Sequence, residues 1–572
     1  MKSLKTYLLA TAAVLGLSIG SCSEDFLDVE PKTSLFDTNF YSTQLDAEMA
    51  LIGCYDGWQR TNSDVDASFY LLTEIMSDEC FAALGVGDDR NYQAIDRFDK
   101  NEAPAYSDLG NNLWIRYYGG IFRCNKLLQE LDRIIWNGAT ASEQEANRKR
   151  VEGEARVLRA ILYFDLVRLF GNIPLLTVPT QENLPQANPD DVYALIADDL
   201  LFAAENIPAD AYPKSKASEN DGRITRWAAK ALLGRVYLYY TGYYGKPDLV
   251  GKVTGQQALQ HLEDVIASEE YGLLDNFRDL WPASSIKVKI DSEGRRVADG
   301  ASNYQRGHKE SVLVLKFNYT QDYNGNLDGN RWLVMMGLRS YSVFPYGRGW
   351  GSCTVHPAIV NAYGDGDSRR SASIIDLKAE SIEDGFDKLD DQREYTGYSV
   401  KKYTPMSKWE VKSDGSMELV DEVFGLGGGD FQISQYQDWV VIRYADVLLM
   451  AAELGSSNAT QYLNDVRRRA YTTDGVLDPN FTELTATKEN ILKERQLELA
   501  FEGVRYWDLL RQGVDYAASA IAEEDGVEVL SGQKDDKVVI KAANIIAKKG
   551  LFQIPNTQIT LSNNVLKQNP GW

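Results

Sequence analysis

The sequence predicts a mostly α-helical protein, in which stacked helix pairs form a TPR-like scaffold and carry an irregular, loop-rich lobe with short strands. Three observations lead to this prediction. Apolar residues recur at helical spacing through the first half of the chain, Gly, Asn, Asp and Tyr dominate the middle, and helical spacing then returns. The predicted parts are a scaffold over residues 43–270, a ligand-binding lobe over 271–440, and a C-terminal helical part over 441–572 that packs on the scaffold.

The first predicted helix begins after Thr43, which serves as an N-cap with Asp46 three residues later. A long helix from about Val151 stops at Gly171, where a glycine ends the helical pattern. Paired antiparallel helices with tyrosines and small residues at their packing faces are typical of a helical repeat, although the strict TPR consensus is absent. The apolar face of the first helix is predicted to consist of Leu45, Met49, Ile52 and Tyr55. The other helical runs of this half are Phe69–Met76, Trp114–Leu131, Val192–Ile207, Ala228–Tyr239 and Leu259–Ile266.

The middle of the chain contains two strand signals. Val312–Phe317 is an apolar run of strand length, and Trp409–Val420 forms a hairpin pattern around Asp414-Gly415, a pair that favours a tight turn. A structureless loop of this length is unusual in a compact domain, so the region is interpreted as a second lobe. Helical patterns return at Tyr444–Leu454, Tyr462–Ala470 and Lys488–Phe501.

The N-terminus has the features of a lipoprotein signal. Lys2 and Lys5 precede the apolar run Tyr7–Ile19, and small residues stand directly before Cys22. The run is shorter than the roughly 20 residues that a membrane-spanning helix needs. Residues 1–21 are therefore predicted to be a cleaved signal peptide, and residues 22–42 a tether that is lipidated at Cys22 and anchors the chain to a membrane.

Composition restricts the classes of function. The 572 residues carry a formal charge of -23, which disfavours nucleic acid as a partner because its phosphates would be repelled. Aromatic residues make up 11% of the chain, with 32 Tyr and 11 Trp. Some of these rings must pack in cores, and the others are available to stack against the C–H faces of sugar rings.

Cysteine and histidine are scarce. Besides Cys22 the chain has Cys54, Cys80, Cys124 and Cys353, without a CxxC pair, so buried free thiols are predicted rather than disulfides. Three widely spaced histidines show no zinc or triad spacing, and no catalytic residue, metal or other cofactor is predicted. Asp-rich loops are compatible with structural Ca²⁺, but no EF-hand spacing appears and Ca²⁺ is not predicted.

The stretch Glu494–Arg511 carries charges at helical spacing. Glu502 and Arg505, and likewise Asp508 and Arg511, stand three residues apart on one face. Apolar neighbours imply that these charges are partly buried. An acid/base pair is the catalytic interpretation, whereas an ion-pair lock with Gly503 as a break is the structural one. The lock is favoured, since acids beside arginines stay ionised and suit a general acid poorly.

This stretch and several others, in order along the chain, resemble the SusD/RagB family of Bacteroidetes nutrient-binding lipoproteins. The resemblance implies a TPR-like scaffold and a non-enzymatic surface protein that is held on the outer membrane, faces the exterior and presents oligosaccharides to a SusC-like TonB-dependent transporter. Some relatives bind peptides. Ser23-Glu24-Asp25 likewise resembles the surface-export signal of such lipoproteins. The matching stretches are Asp25–Asp28, Trp114–Asn125, Glu152–Pro174, Arg443–Glu453, Glu494–Arg511 and Ile554–Pro570.

Two loop regions are the predicted ligand site, residues 78–98 and 332–350, because family binding sites are built from aromatic-lined loops. Glycines around Tyr346 and Trp350 are expected to lift these rings away from regular structure. Alternatively, Trp332 and Trp350 anchor the lobe on the helices, and Asp78 caps a backbone. The turn Asp365–Arg370 is interpreted as structural. The predicted ligand-binding residues are Trp350, Tyr346, Trp332, Tyr341, Arg348, Asp78, Tyr92 and Arg90.

Two other classes of function remain open from the sequence. A surface glycoside hydrolase would need two convergent carboxylates, one with a raised pKa, and 83 acidic residues could supply such a pair. A structural or adhesive surface protein would bind no small ligand at all. Each of these two alternatives would give the lobe a function other than glycan capture.

Overall fold

The computed structural model describes residues 40–572, apart from 64–67, 105–107, 217–221, 321–328, 387–388 and 425–428. The predicted signal peptide, Cys22 and almost all of the tether lie outside the described residues. Within the described part the chain is mostly helical with short strand pairs, as the sequence predicted. No helix among these residues has both the length and the apolarity that crossing a bilayer requires.

Eight α-helices are present among the described residues of the first half, and consecutive long helices pack against each other as in a helical repeat. Local signals set two of the predicted ends, but the fifth helix begins at Ala141, behind a capping box at Thr140, and not near Val151 as predicted. Thr43 and Asp46 form a reciprocal capping box at the start of the first helix, and Gly171, with a φ of 68°, ends the fifth. The helices are α1 Gln44–Gln59, α2 Phe69–Ile75, α3 Asn91–Asp96, α4 Asn111–Glu130, α5 Ala141–Phe170, α6 Pro189–Asn206, α7 Arg226–Tyr244 and α8 Gly255–Ala267.

The predicted apolar face of α1 is wrong. Leu45, Met49 and Ile52 are exposed to solvent, and Tyr55 is half-buried. The residues of α1 that pack into the core are instead Ala47, Leu51, Cys54 and Trp58. Both sets recur at three- and four-residue spacing, so periodicity alone cannot tell which of them faces the rest of the protein.

The middle of the chain holds the short strands. Cys80–Ala82 (β1), Cys353–Val355 (β7), Tyr398–Val400 (β9) and Ile374–Asp376 (β8) form an antiparallel sheet in that order. Ser311–Leu315 (β4) pairs with Trp439–Arg443 (β12), and Lys408–Val411 (β10) pairs with Met417–Asp421 (β11). The β10–β11 hairpin turns at Gly415, with a φ of 83°, as the Asp-Gly pair predicted. The strands up to residue 443 are β1 Cys80–Ala82, β2 Val288–Ile290, β3 Arg296–Ala298, β4 Ser311–Leu315, β5 Leu338–Arg339, β6 Arg348–Gly349, β7 Cys353–Val355, β8 Ile374–Asp376, β9 Tyr398–Val400, β10 Lys408–Val411, β11 Met417–Asp421 and β12 Trp439–Arg443. Between them lie the helices α9 Pro282–Ser285, α10 Trp332–Met336, α11 Pro357–Ala362 and α12 Arg369–Ser373.

The C-terminal part is again mainly helical and closes against the scaffold. One large core runs through the chain from Tyr41 to Leu566, and a second, small core around Tyr346 belongs to the lobe. Because the large core is continuous, the divisions at residues 270 and 440 stay a prediction. The elements are α13 Tyr444–Glu453, α14 Ala459–Ala470, β13 Thr472–Thr473, β14 Val476–Leu477, α15 Lys488–Leu499, α16 Arg505–Leu510, α17 Val514–Ile521, β15 Glu523–Ser531, β16 Lys534–Ile540, α18 Ala542–Lys548 and α19 Asn556–Leu561.

A buried ion network joins the lobe to α15. Arg443 donates to both oxygens of Glu502, at 2.7 and 2.8 Å, and to Oε1 of Glu498 at 2.9 Å. Arg369 pairs with Asp367 at 2.7 Å, which makes the 365–370 turn structural, as predicted. The predicted Asp508–Arg511 pair is present at 2.8 Å.

The predicted Glu502–Arg505 pair is wrong, because both partners are engaged elsewhere. Glu502 accepts from Arg443 and from Lys402, whereas Arg505 pairs with Asp78 at 2.7 Å. The four described cysteines are free and buried, as predicted. No group of three or more His, Cys, Asp or Glu side chains in the described part of the chain is arranged to hold a metal ion.

Candidate functional site

The two predicted loop regions lie side by side in the structure. The N–H of Leu84 donates to the carbonyl of Gly351 at 2.8 Å, which continues the pairing of β1 with β7. Arg339 then links the regions, with Nε 2.7 Å from Asp391 and Nη1 3.2 Å from Asp88. The sequence therefore identified two segments that meet, although hundreds of residues separate them.

Three of the predicted ligand-binding rings are buried. Trp332 lies 3.9 Å from Tyr70, centroid to centroid, and so anchors the lobe on α2, as the alternative interpretation held. Tyr346 sits in the small core of the lobe and donates its hydroxyl to Glu380 at 2.8 Å. Tyr92 is also buried. The expectation that glycines present Tyr346 to solvent is wrong, because Gly347 packs against the 406–407 backbone and closes the loop inward.

The predicted charged residues are paired. Asp78 accepts from Nε and Nη2 of Arg505, each at 2.7 Å, and contact of this partly exposed carboxylate with a ligand stays a prediction. Arg90 pairs with Glu102 at 2.6 Å. Arg348 pairs with Glu422 at 3.1 Å and lies 3.8 Å above the ring of Phe431. A contact of the partly exposed Arg90 and Arg348 with a ligand stays a prediction.

The two remaining predicted rings are half-buried. Trp350 packs on the large core, and its carbonyl accepts from Arg339 at 3.1 Å. Tyr341 packs edge to face against Phe386, with 5.7 Å between ring centroids. Each keeps an exposed part, so ligand contact at Trp350 and Tyr341 also stays a prediction.

An aromatic cavity that the sequence did not single out lies within the lobe. It has a volume of about 200 Å³, below the roughly 300–1,000 Å³ of sites that enclose a drug-sized ligand. It would therefore hold one part of a longer ligand. Its lining is Pro282, Tyr304, Arg306, Leu333, Met406, Phe424, Gln435, Tyr436 and Gln437.

The position of the Tyr436 ring in the cavity is held by a hydrogen bond to the backbone and by the neighbouring ion pair of Arg306 and Asp438. Tyr436 comes just before β12 and donates its hydroxyl to the carbonyl of Phe424, which follows β11, at 3.0 Å. The guanidinium of Arg306 lies 5.7 Å from the Tyr436 ring centre, and its Nε is 2.6 Å from Asp438. Tyr319 meets Tyr436 edge to face at 6.1 Å. Burial raises the pKa of Tyr436, so its hydroxyl stays protonated as a donor.

Two amides complete the polar part of the cavity. Gln437 donates its side-chain nitrogen to the carbonyl of Lys402 at 2.8 Å, and Gln435 donates to the carbonyl of Glu422 at 3.4 Å. Apolar walls with a few oriented polar groups are typical of small-molecule sites. The signal in the sequence was the Gln-Tyr-Gln run immediately before a strand, at the end of the predicted lobe.

Several carboxylates with raised pKa values, among them Glu74 and Glu394, lie away from this cavity and inside the protein. Burial raises the pKa of Glu74 to about 8 and that of Glu394 to about 7. Glu74 accepts from the N–H of Gly503, and Glu394 pairs with Arg97 at 2.7 Å. Both side chains are buried, so they are structural groups rather than groups open to a substrate.

We expect Glu74→Gln to change the pH dependence of stability. The unfolded chain loses the Glu74 proton near the ordinary pKa of 4.5 and the folded protein near 8, so the wild type loses stability as pH rises between these values. This group alone contributes up to roughly 1.4 kcal/mol per pH unit in that window. Urea unfolding at pH 5.5, 7 and 8.5 should show that the free energy of unfolding of the variant, relative to that of the wild type, increases with pH. Glu145→Gln, on the exposed part of α5, is the control. If the free energy of unfolding of Glu74→Gln changes with pH in parallel with that of the wild type, the raised pKa of Glu74 is contradicted.

Comparison with known proteins agrees with this architecture. Residues 25–238 match the family model described as "Starch-binding associating with outer membrane", and residues 428–572 match the one described as "SusD family". SusD-like protein P38 of Formosa agariphila is 24% identical over 540 residues, 89% of this chain and 92% of the relative. A SusD-like protein of Bacteroides ovatus is 26% identical over 289 residues, 49% of this chain and 47% of the relative.

Two solved structures share the fold. Surface glycan-binding protein A from Bacteroides thetaiotaomicron, in complex with laminarihexaose, superposes with a TM-score of 0.68 at 23% identity, over 92% of this chain and 99% of that chain. A laminarin binding SusD-like protein superposes with a TM-score of 0.66 at 28% identity, over the same shares of 92% and 99%. The likeness extends through scaffold and lobe alike.

Proposed function

The chain belongs to the SusD/RagB family, and on that premise we propose that it captures an oligosaccharide or polysaccharide at the cell surface and delivers it to a SusC-like TonB-dependent transporter. The lipid on Cys22 would hold it on the outer membrane, facing the exterior. In this role the chain binds its ligand and does not cleave it.

The aromatic cavity of the lobe is the single observation that carries the proposal. Tyr304, Phe424 and Tyr436 supply ring surface against which the C–H face of a sugar can stack. Gln437 and Arg306 lie among these rings and can pair with hydroxyl groups. Phe424 is almost half exposed, so a glycan chain can leave the cavity and continue over the lobe.

The similar proteins support a glycan as the ligand. The structure that is 28% identical to this chain is described as laminarin binding, and the one determined with laminarihexaose shares the fold. A β-glucan such as laminarin is therefore the first probe to use.

The lining of the cavity supports a binding role over hydrolysis. A glycoside hydrolase needs two carboxylates that flank the scissile bond, one of them with a raised pKa. Glu74 and Glu394 have raised pKa values but are buried, and the residues described as lining the cavity include no carboxylate.

Calorimetry of the purified chain against a glycan panel tests the proposal. We expect saturable binding of laminarin or another glycan of the panel, with no rise in reducing ends over hours of incubation. Starch, xylan, mannan and pectin complete the panel, and a pool of short peptides is run in parallel. Release of reducing ends would make the protein an enzyme, whereas binding of peptides alone would make it a peptide-binding member of the family.

A further inference from the structure

A second groove lies where α13 and α14 meet the segment 273–276, which follows α8. Its volume is about 860 Å³, against about 200 Å³ for the cavity of the lobe. It is therefore within the roughly 300–1,000 Å³ range of sites that enclose a small ligand. We call it the side groove and define it by six of its lining residues, Leu273, Leu274, Tyr444, Gln461, Asp465 and Arg468.

Apolar side chains and one aromatic ring form part of the side groove. Leu273 and Leu274 are half-buried, and so is Tyr444, which begins α13. The Tyr444 ring keeps an accessible part, against which the C–H face of a sugar can stack. Burial raises the pKa of Tyr444 to about 12, so its hydroxyl stays protonated and can donate to a ligand oxygen.

A polar stripe on α14 forms another part of the side groove. Gln461, Asp465 and Arg468 follow one another at four- and three-residue spacing, which places them on one face of the helix, and all three are exposed. Asp465 accepts a hydrogen bond from Gln461, and a carboxylate has further lone pairs for the hydroxyl groups of a ligand. Apolar surface, a ring and a few oriented polar groups are the components that a sugar site needs.

Hydrogen bonds to one buried residue hold two sides of the side groove in place. Glu310 accepts from the N–H of Leu274 at 3.0 Å through its side chain, and from the N–H of Tyr444 at 2.8 Å through its backbone carbonyl. The N–H of Asp474 also donates to the side chain of Asn276 at 2.8 Å, and both of these residues line the groove. The groove is thus formed without a ligand, which lowers the ordering cost of binding.

The side groove and the lobe cavity are neighbours. Arg306 lines the cavity, and the carbonyl of Lys309, three residues later, accepts from the N–H of Gly272 at 3.2 Å, next to Leu273. Three residues of chain span at most about 11 Å. Gln305, Arg306 and Lys309 are exposed between the two sites. A ligand chain that leaves the cavity over this segment therefore needs to extend only a short distance to enter the side groove.

We propose that the side groove binds a second segment of the same glycan chain that occupies the lobe cavity, so that the ligand is a long, uncharged polysaccharide. The inference rests on the proposed function, which supplies the glycan. Two linked contacts bind more tightly than either alone, because the second forms at a high effective concentration. A short oligosaccharide would occupy one of the two sites and lack this gain.

The charges at the side groove favour an uncharged chain over an acidic one. Both arginines of the lining are engaged by glutamates, Arg468 by Glu483 at 2.8 Å and Arg469 by Glu310 at 3.0 Å. Carboxylates along the lining would repel the uronate or sulfate groups of an acidic glycan. The aspartates that line the groove are Asp275, Asp465 and Asp474.

Calorimetry with laminarin oligosaccharides of two and eight units tests the side groove. We expect the wild type to bind the longer chain at least about tenfold more tightly than the shorter one. Gln461→Ala/Asp465→Ala and Tyr444→Ala should each remove most of that gain and leave binding of the two-unit chain unchanged. Gln260→Ala/Asp264→Ala is the matched control and should keep the full gain, because it removes the same residue types at the same spacing from α8. If Tyr444→Ala does not fold, the exposed Gln461 and Asp465 pair carries the test, and if another uncharged glycan of the panel binds best, its two- and eight-unit fragments are used.

Three results would overturn the inference. The first is wild-type affinity of the groove variants for the eight-unit chain. The second is an equal loss of affinity for both chain lengths, since the groove would then be the main site and not an extension of the cavity. The third is preferential binding of an acidic glycan such as pectin. Glycan binding persists in all three cases, whereas failure of every glycan in the panel to bind would remove the proposed function and this inference together.

Discussion

Glu498→Ala should lower the free energy of unfolding by about 3–5 kcal/mol. Glu498 is fully buried, with Oε1 2.9 Å from Arg443 and Oε2 3.2 Å from Arg369. Arg469 pairs with it as well. Burial by itself would raise the pKa of Glu498, but these arginines more than offset it and hold the pKa at about 2. Removing the carboxylate leaves buried guanidinium groups without their shared partner, which is why the loss is large.

Chemical denaturation of the purified chain measures this effect. Glu483→Ala is the control, because it removes the exposed partner of Arg468, at 2.8 Å, and exposed pairs contribute roughly 0–1 kcal/mol. Should Glu498→Ala not fold, Glu498→Gln keeps the shape of the side chain and gives a measurable intermediate. Equal, small losses for Glu498→Gln and Glu483→Ala would show that the network does not hold the lobe to α15.

Phe424→Ala and Tyr436→Ala should each weaken glycan binding about tenfold to hundredfold, which corresponds to roughly 1.4–2.8 kcal/mol. The two residues meet at the cavity, where the Tyr436 hydroxyl donates to the Phe424 carbonyl at 3.0 Å. Truncating either ring removes stacking surface while the β10–β11 and β4–β12 pairings stay in place. Phe424 is exposed, so its removal should change stability by less than about 1 kcal/mol.

Calorimetric titration with the best glycan of the panel measures these variants. Phe122→Ala is the matched control, since it removes an equally exposed phenylalanine from α4 instead of the lobe. If both cavity variants bind with wild-type affinity, the ligand lies elsewhere, and Trp350 with Tyr341 becomes the next surface to alter.

The candidate site was predictable in outline only. The sequence selected two loop regions that do adjoin through the Leu84–Gly351 pairing. Tyr346 was predicted to bind ligand because glycines surround it. In the structure those glycines allow the close packing that buries its ring. Tyr436 was not selected, because the only signal near it is the short Gln435-Tyr436-Gln437 run, and its contact with Arg306 depends on the pairing of β4 with β12.

The sequence by itself determined the cap at Thr43, the helix end at Gly171 and the hairpin turn at Asp414-Gly415. These features depend on neighbours a few residues away, whose hydrogen bonds and turns are local. Only the tertiary structure decided which stripe of α1 is buried and which partner holds Asp78. The Asp78–Arg505 pair joins residues 427 positions apart, and burial depends on which segments pack together, so neither can be obtained from spacing along the chain.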